Sequence, residues 1–195
     1  MAQAKIDKRV MKTRQALRDA LLELIIERGY ENSSVQNILD RASVGRATFY
    51  THYQSKEDLL RRSLDMLREH LIEEWRIASK SAMQPKVPLG FSLAFFQHVA
   101  SHRRLYRAVV GRESGVIVDR QMRRLLADLV KIEIASAARK NQDELRTDMA
   151  AQYVVGALMS MVNWWLDRNV KLSPEEIDAA FRQMTLPALQ SIRNL

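Results

Sequence analysis

Ala42-Ser43-Val44-Gly45-Arg46-Ala47-Thr48-Phe49-Tyr50-Thr51-His52-Tyr53-Gln54-Ser55-Lys56-Glu57-Asp58-Leu59-Leu60 is the stretch on which the fold turns. Arg46 to Tyr53 reads as a short helix closed by Gln54. Ser55, with Asp58 three residues on, then caps the start of a long amphipathic helix with the stripe Leu59, Leu60, Leu64, Leu67, Leu71 and Trp75. Upstream, Asn32-Ser33-Ser34-Val35-Gln36 reads as another helix start, with Gln36 three residues after Ser33 as in a capping box, and this second short helix runs to about Ala42. Before it, Val10 to Ile26 places Leu17, Leu21, Leu24 and Ile25 on one buried stripe, and Gly29 ends that helix.

A long helix followed by two short ones joined at Ser43-Val44-Gly45 is the arrangement that presents the second short helix to the major groove of DNA. Helical periodicity sends Val44, Phe49 and Tyr53 inward and leaves Arg46, Ala47, Thr48, Tyr50, Thr51 and His52 outward. Arg46 can fork onto guanine, Thr48 and Thr51 can reach base edges, and Ala47 leaves room for a thymine methyl. Gln36 is a further candidate for a base edge. Tyr50, His52 and Lys56, the caps at Ser33 and Ser34, and the basic stretch Lys5, Lys8, Arg9, Lys12 and Arg14 are placed to hold phosphates. On this reading Lys56→Ala weakens binding to all DNA alike and flattens its salt dependence.

The quoted string resembles the TetR-family signature of turn, recognition helix and entry to the fourth helix. The resemblance extends upstream through Arg28-Gly29-Tyr30, Ser34-Val35 and Ile38, and covers about residues 8 to 60. Within the motif, Ser43 stands where a turn Gly is usual, Gly45 where a Ser often caps the recognition helix, and Leu39 where Ala is common. The resemblance implies an N-terminal three-helix DNA-binding domain over residues 1–54, and a helical effector-binding and dimerisation domain over residues 55–195. It further implies a homodimeric repressor on a palindromic operator in double-stranded DNA, released by a small-molecule effector.

Beyond the motif the chain reads as all-α, with about nine helices in total. It holds only six Gly and four Pro, and no window alternates apolar and polar residues as a half-buried strand does. Pro85 and Pro88 mark a loop, and helices are expected near Leu89 to Ser101, Arg103 to Val110, Ile117 to Lys140, Glu144 to Arg168 and Pro174 to Ile192. Ser173 and Glu176 form the last helix's capping box, and Pro187 is expected to kink or break that helix. The segment Leu105 to Glu113 is similar to a subgroup of TetR-like C-terminal domains. The resemblance assigns the dimer to the last two long helices. It also implies an effector pocket, for which Phe91, Phe95, Phe96, Tyr106, Met122, Met159 and Trp164 are the candidate lining residues.

Composition narrows the alternatives. The 195 residues carry no Cys, which removes disulfides, thiol catalysis and Cys-bound metal, and a net charge of +8 favours a polyanionic partner. No nucleotide-binding loop, metalloprotease helix or Gly-flanked nucleophilic Ser supports an enzyme. His98 and His102, and likewise His70 and Glu74, lie one turn apart but read as surface or packing residues rather than metal ligands. No cofactor is expected. The basic start has no apolar run behind it, and the longest apolar stretch, Tyr153 to Leu166, is too short for a bilayer, so a cytoplasmic protein without membrane attachment is expected. The rival without catalysis is a helical adaptor using its basic face.

Overall fold

The computed structural model describes residues 2–81, 89–109, 115–137, 144–168 and 170–194. The described residues form α1 (Ala2–Arg28), α2 (Val35–Ala42), α3 (Arg46–His52), α4 (Lys56–Ser81), α5 (Phe91–Ser101), α6 (Arg103–Val109), α7 (Val116–Ala137), α8 (Glu144–Asp167) and α9 (Pro174–Asn194), with no strand among them. The loop expected around Pro85 and Pro88, the segment Gly111 to Glu113 and the expected helix end at Lys140 lie outside the described residues, as do the side chains of Lys5 and Trp75. The basic N-terminal stretch is part of α1, which begins two turns before the apolar stripe, and Lys8, Arg9, Lys12 and Arg14 project from it exposed.

Local chemistry sets several helix starts. Ser55 Oγ accepts from the Asp58 N–H at 3.2 Å while Asp58 Oδ2 accepts from the Gln54 N–H at 3.2 Å. At α9, Glu176 N–H donates to Ser173 Oγ at 3.2 Å and Ser173 N–H to Glu176 Oε2 at 2.7 Å, with Pro174 as the first helical residue. The cap of α2 differs from the expected Ser33 and Gln36 pair. Ser34 is the N-cap and Asn37 completes the box, because Ser33 is buried and its hydroxyl donates to the Gly29 carbonyl at 2.8 Å. Pro187 does not interrupt α9, whose helical assignment runs on to Asn194.

Two apolar cores result. One joins Leu17, Leu21, Leu24 and Ile25 of α1 to Ile38, Leu39, Phe49 and Tyr53, and is completed by Leu59 and Leu60 of α4, Val109 of α6 and Val118 of α7. The other packs α5, α7 and α9 around α8, with Phe96 edge-on to both Trp165 and Phe181 at ring separations of 6.1 and 5.9 Å. The element boundary falls between Tyr53 and Lys56, where a division at residue 54 was expected, yet the N-terminal core continues across it. The helix-turn-helix is therefore built onto α4, α6 and α7 as well as α1.

Candidate DNA interface and interdomain cavity

Ser43 ends α2 in the left-handed region, φ 52 and ψ 41, which explains why glycine suits this position: a side chain there crowds its own carbonyl. The N–H of Val44 returns to the Leu39 carbonyl at 3.1 Å, and Gly45 opens α3 with no side-chain cap. Leu39, the third departure from the motif, is buried in the N-terminal core.

Phe49 fixes the roll of α3. It is fully buried, edge-on to Tyr50 at 5.3 Å and tilted against Tyr53 at 5.7 Å. With that face held inside, Arg46, Ala47, Thr48, Tyr50 and Thr51 are exposed together, and the Arg46 guanidinium lies over the Tyr50 ring at 5.8 Å. Thr51 Oγ1 donates to the Ala47 carbonyl at 2.9 Å, so a base edge would meet it as an acceptor or through its methyl. His52 is half-buried, and burial, then Arg14 and Arg62, lower its pKa. Ser34 and Gln36 are exposed at the start of α2, with Gln36 Nε2 donating to Asp40 at 2.7 Å.

Two of the expected phosphate contacts have structural employment. Ser33 is buried and committed to the Gly29 carbonyl, so its hydroxyl is not available at the surface. The Lys56 ammonium donates to the carbonyls of Tyr30 at 2.9 Å and Ser33 at 2.7 Å and sits 4.2 Å from the Tyr30 ring centre. Lys56 thus ties the turn between α1 and α2 to the start of α4. Lys56→Ala is accordingly expected to cost about 1.5–3 kcal/mol of stability, read by denaturant unfolding. The salt slope of DNA binding should stay as in the wild type, contrary to the sequence-based expectation.

A cavity of about 290 Å³ lies where the two cores meet. Its walls come from α1 (Arg18, Leu22, Ile25), α4 (Leu60 to His70), α5 (His98), α6 (Leu105, Tyr106, Val109), α7 (Val118, Asp119, Met122) and α8 (Met159), with His102 between α5 and α6. Of the residues expected to line a pocket, Tyr106, Met122 and Met159 do so. Phe91, Phe95 and Phe96 instead fill the core behind it, Phe95 meeting Tyr106 edge-on at 5.9 Å. Trp164 points outward, 43% exposed, whereas the adjacent Trp165 is buried and donates its Nε1–H to the Leu172 carbonyl at 3.1 Å.

The sequence reading missed the polar members of this wall. His98 and His102 stack with ring centres 4.2 Å apart, and His70 stands 6.4 Å from His98. Their one-turn spacing was visible, but only packing of α4 against α5 and α6 turns them toward a common space. Burial first, then His102 and His70, push His98 down to about 4. An unfolded histidine takes up its proton near 6.5, so this site's contribution to stability is complete above about 6.5 and is lost as pH falls toward about 4. His98→Gln is expected to flatten that decline in thermal melts recorded across the same interval.

Comparison with known proteins agrees with the geometry. Residues 17–62 match the family model described as bacterial regulatory proteins, tetR family, and residues 86–186 match that of a transcriptional regulator C-terminal region. The chain belongs to the TetR family. Among curated relatives it is 26% identical over 181 residues to the HTH-type transcriptional regulator YxbF of Bacillus subtilis strain 168, covering 91% of this chain but 46% of that protein. The chain thus spans about half the length of that relative. It is 25% identical to the fatty acid metabolism regulator protein of the same organism, over 78% of this chain and 83% of that protein. Among solved structures, a TetR-family regulator from Syntrophomonas wolfei superposes with a TM-score of 0.70 at 19% identity, covering 92% of this chain and 95% of that one. Among the described residues no helix is long and apolar enough to cross a membrane.

Proposed function

We propose that the chain acts in the cytoplasm as a homodimeric repressor that grips a palindromic operator and lets go when an effector occupies the interdomain cavity. The observation that carries this is α3: one face is locked by Phe49, and the opposite face holds Arg46, Ala47, Thr48, Tyr50 and Thr51 in solvent. Selection from random duplexes tests it. A palindromic site should emerge, with affinity falling steeply as salt rises; an adaptor would give neither a selected site nor a footprint.

A dimer is supported by α8. Leu145, Met149, Tyr153 and Trp164 are large apolar residues left exposed at spacings of four and eleven, which is one helical stripe, and a side chain built at Gly156 would meet nothing within 4 Å. Met184 of α9 is exposed too. A second copy would bury this stripe and set two copies of α3 against half-sites about 34–36 Å apart. Trp164→Glu puts a charge into that contact. It is expected to sediment as a monomer and lose operator binding, while a dimer that persists would place the interface elsewhere.

The cavity supports effector control because α1 forms one wall and the C-terminal helices form the others. A molecule held there shifts α1 relative to α4 and α6, and α1 carries the helix-turn-helix. Coupling of about 1–3 kcal/mol suffices to move operator occupancy severalfold to a hundredfold.

A further inference from the structure

Most of the cavity wall is aliphatic or methionine, and the volume of about 290 Å³ sits at the small end of ligand sites, which span about 300–1,000 Å³. Two buried oxygen atoms in that wall have no hydrogen-bond partner among the described residues: Tyr106 Oη and Asp119 Oδ1. Buried polar groups are nearly always paired, so two orphans on one cavity ask for a partner that enters it. Their chemistry differs. A phenol can donate or accept, but a carboxylate oxygen can only accept.

Asp119 is held in place by Arg123, whose Nε donates to the other oxygen, Oδ2, at 2.7 Å. In the adjoining wall His98, whose ring is stacked on His102 at 4.2 Å, is disfavoured as a cation by burial first and then by His102 and His70. We infer that the cavity takes a small, mainly aliphatic molecule whose polar end donates a hydrogen bond, an alcohol or an amine, and that it discriminates against a carboxylate. This rests on the reading of the cavity as the effector site. The competing feature is Arg18, the only Arg or Lys among the described lining residues, whose guanidinium donates to Gln15 Oε1 and to Met66 Sδ at 2.6 Å.

Calorimetric titration of the full chain with decanol, decylamine and decanoate, each below its micelle concentration, separates the possibilities. The alcohol and the amine are expected to bind about tenfold or more tightly than the acid. Asp119→Asn removes the charge with little change of shape and should bring the three affinities together. Tyr106→Phe should weaken the alcohol while leaving the fold intact by circular dichroism. Decanoate binding as tightly as decanol, and lost in Arg18→Ala, would overturn the donor preference and leave the effector site standing. Absence of binding by all three, or unchanged binding in Leu64→Trp, which fills the cavity, would overturn both.

Discussion

Phe49→Ala is expected to cost about 3–5 kcal/mol and to abolish DNA binding, the largest effect of any single truncation in the N-terminal half. The ring is fully buried and touches Tyr50 and Tyr53 directly. It also closes a core shared by α1, α2 and the start of α4. Removing it leaves a cavity and frees α3 to roll, so the exposed face no longer presents Arg46 and Thr48 together. Denaturant unfolding followed by circular dichroism gives the energy, and a fluorescence anisotropy titration with the selected operator gives the binding. Phe49→Leu retains most of the volume and should recover much of both. Full operator affinity in the alanine variant would mean that α3 is held by something other than this ring.

The helix-turn-helix was legible because its determinants are local. A cap and its partner stand three residues apart, the inward residues of α3 follow helical spacing, and the positive φ of Ser43 sits where the motif shows a glycine turn. The limit of that locality is visible at Ser33 and Ser34. Adjacent serines offer two registers of the same box, and the choice between them is made by the Gly29 carbonyl, which draws Ser33 inward. Lys56 shows the limit more clearly: its place beside the motif suggested phosphate, but its ammonium is engaged by two carbonyls of the turn after α1, more than twenty residues away in sequence. The cavity lies at the far end of this scale. Nothing in the spacing of Leu22 and Arg18 along α1 marks them as lining a cavity, and only the packing of α4, α6 and α7 against them makes them a wall. The outward Trp164 and inward Trp165 illustrate the same limit, since α8 is apolar on several faces and periodicity alone does not choose between neighbours.

Arg46→Ala is expected to relax operator discrimination by about 1–3 kcal/mol at one base position while leaving the fold unchanged. Arg46 opens α3, is exposed, and has its guanidinium over the Tyr50 ring, which restricts the side chain before DNA arrives. A forked donor held in advance loses less freedom on meeting the two acceptors of guanine, so its contribution should be to sequence choice more than to general affinity. The comparison that isolates this is selection of sites by wild type and Arg46→Ala at one salt concentration, followed by salt titrations on the consensus. Discrimination should fall at a single position in each half-site, symmetrically if two copies bind. Arg46→Lys should not restore it, because an ammonium is a point charge without the planar fork. A variant that selects the same site while its salt slope drops by about one would mean that Arg46 holds a phosphate. Base recognition would then fall to Thr48, Thr51 and Gln36.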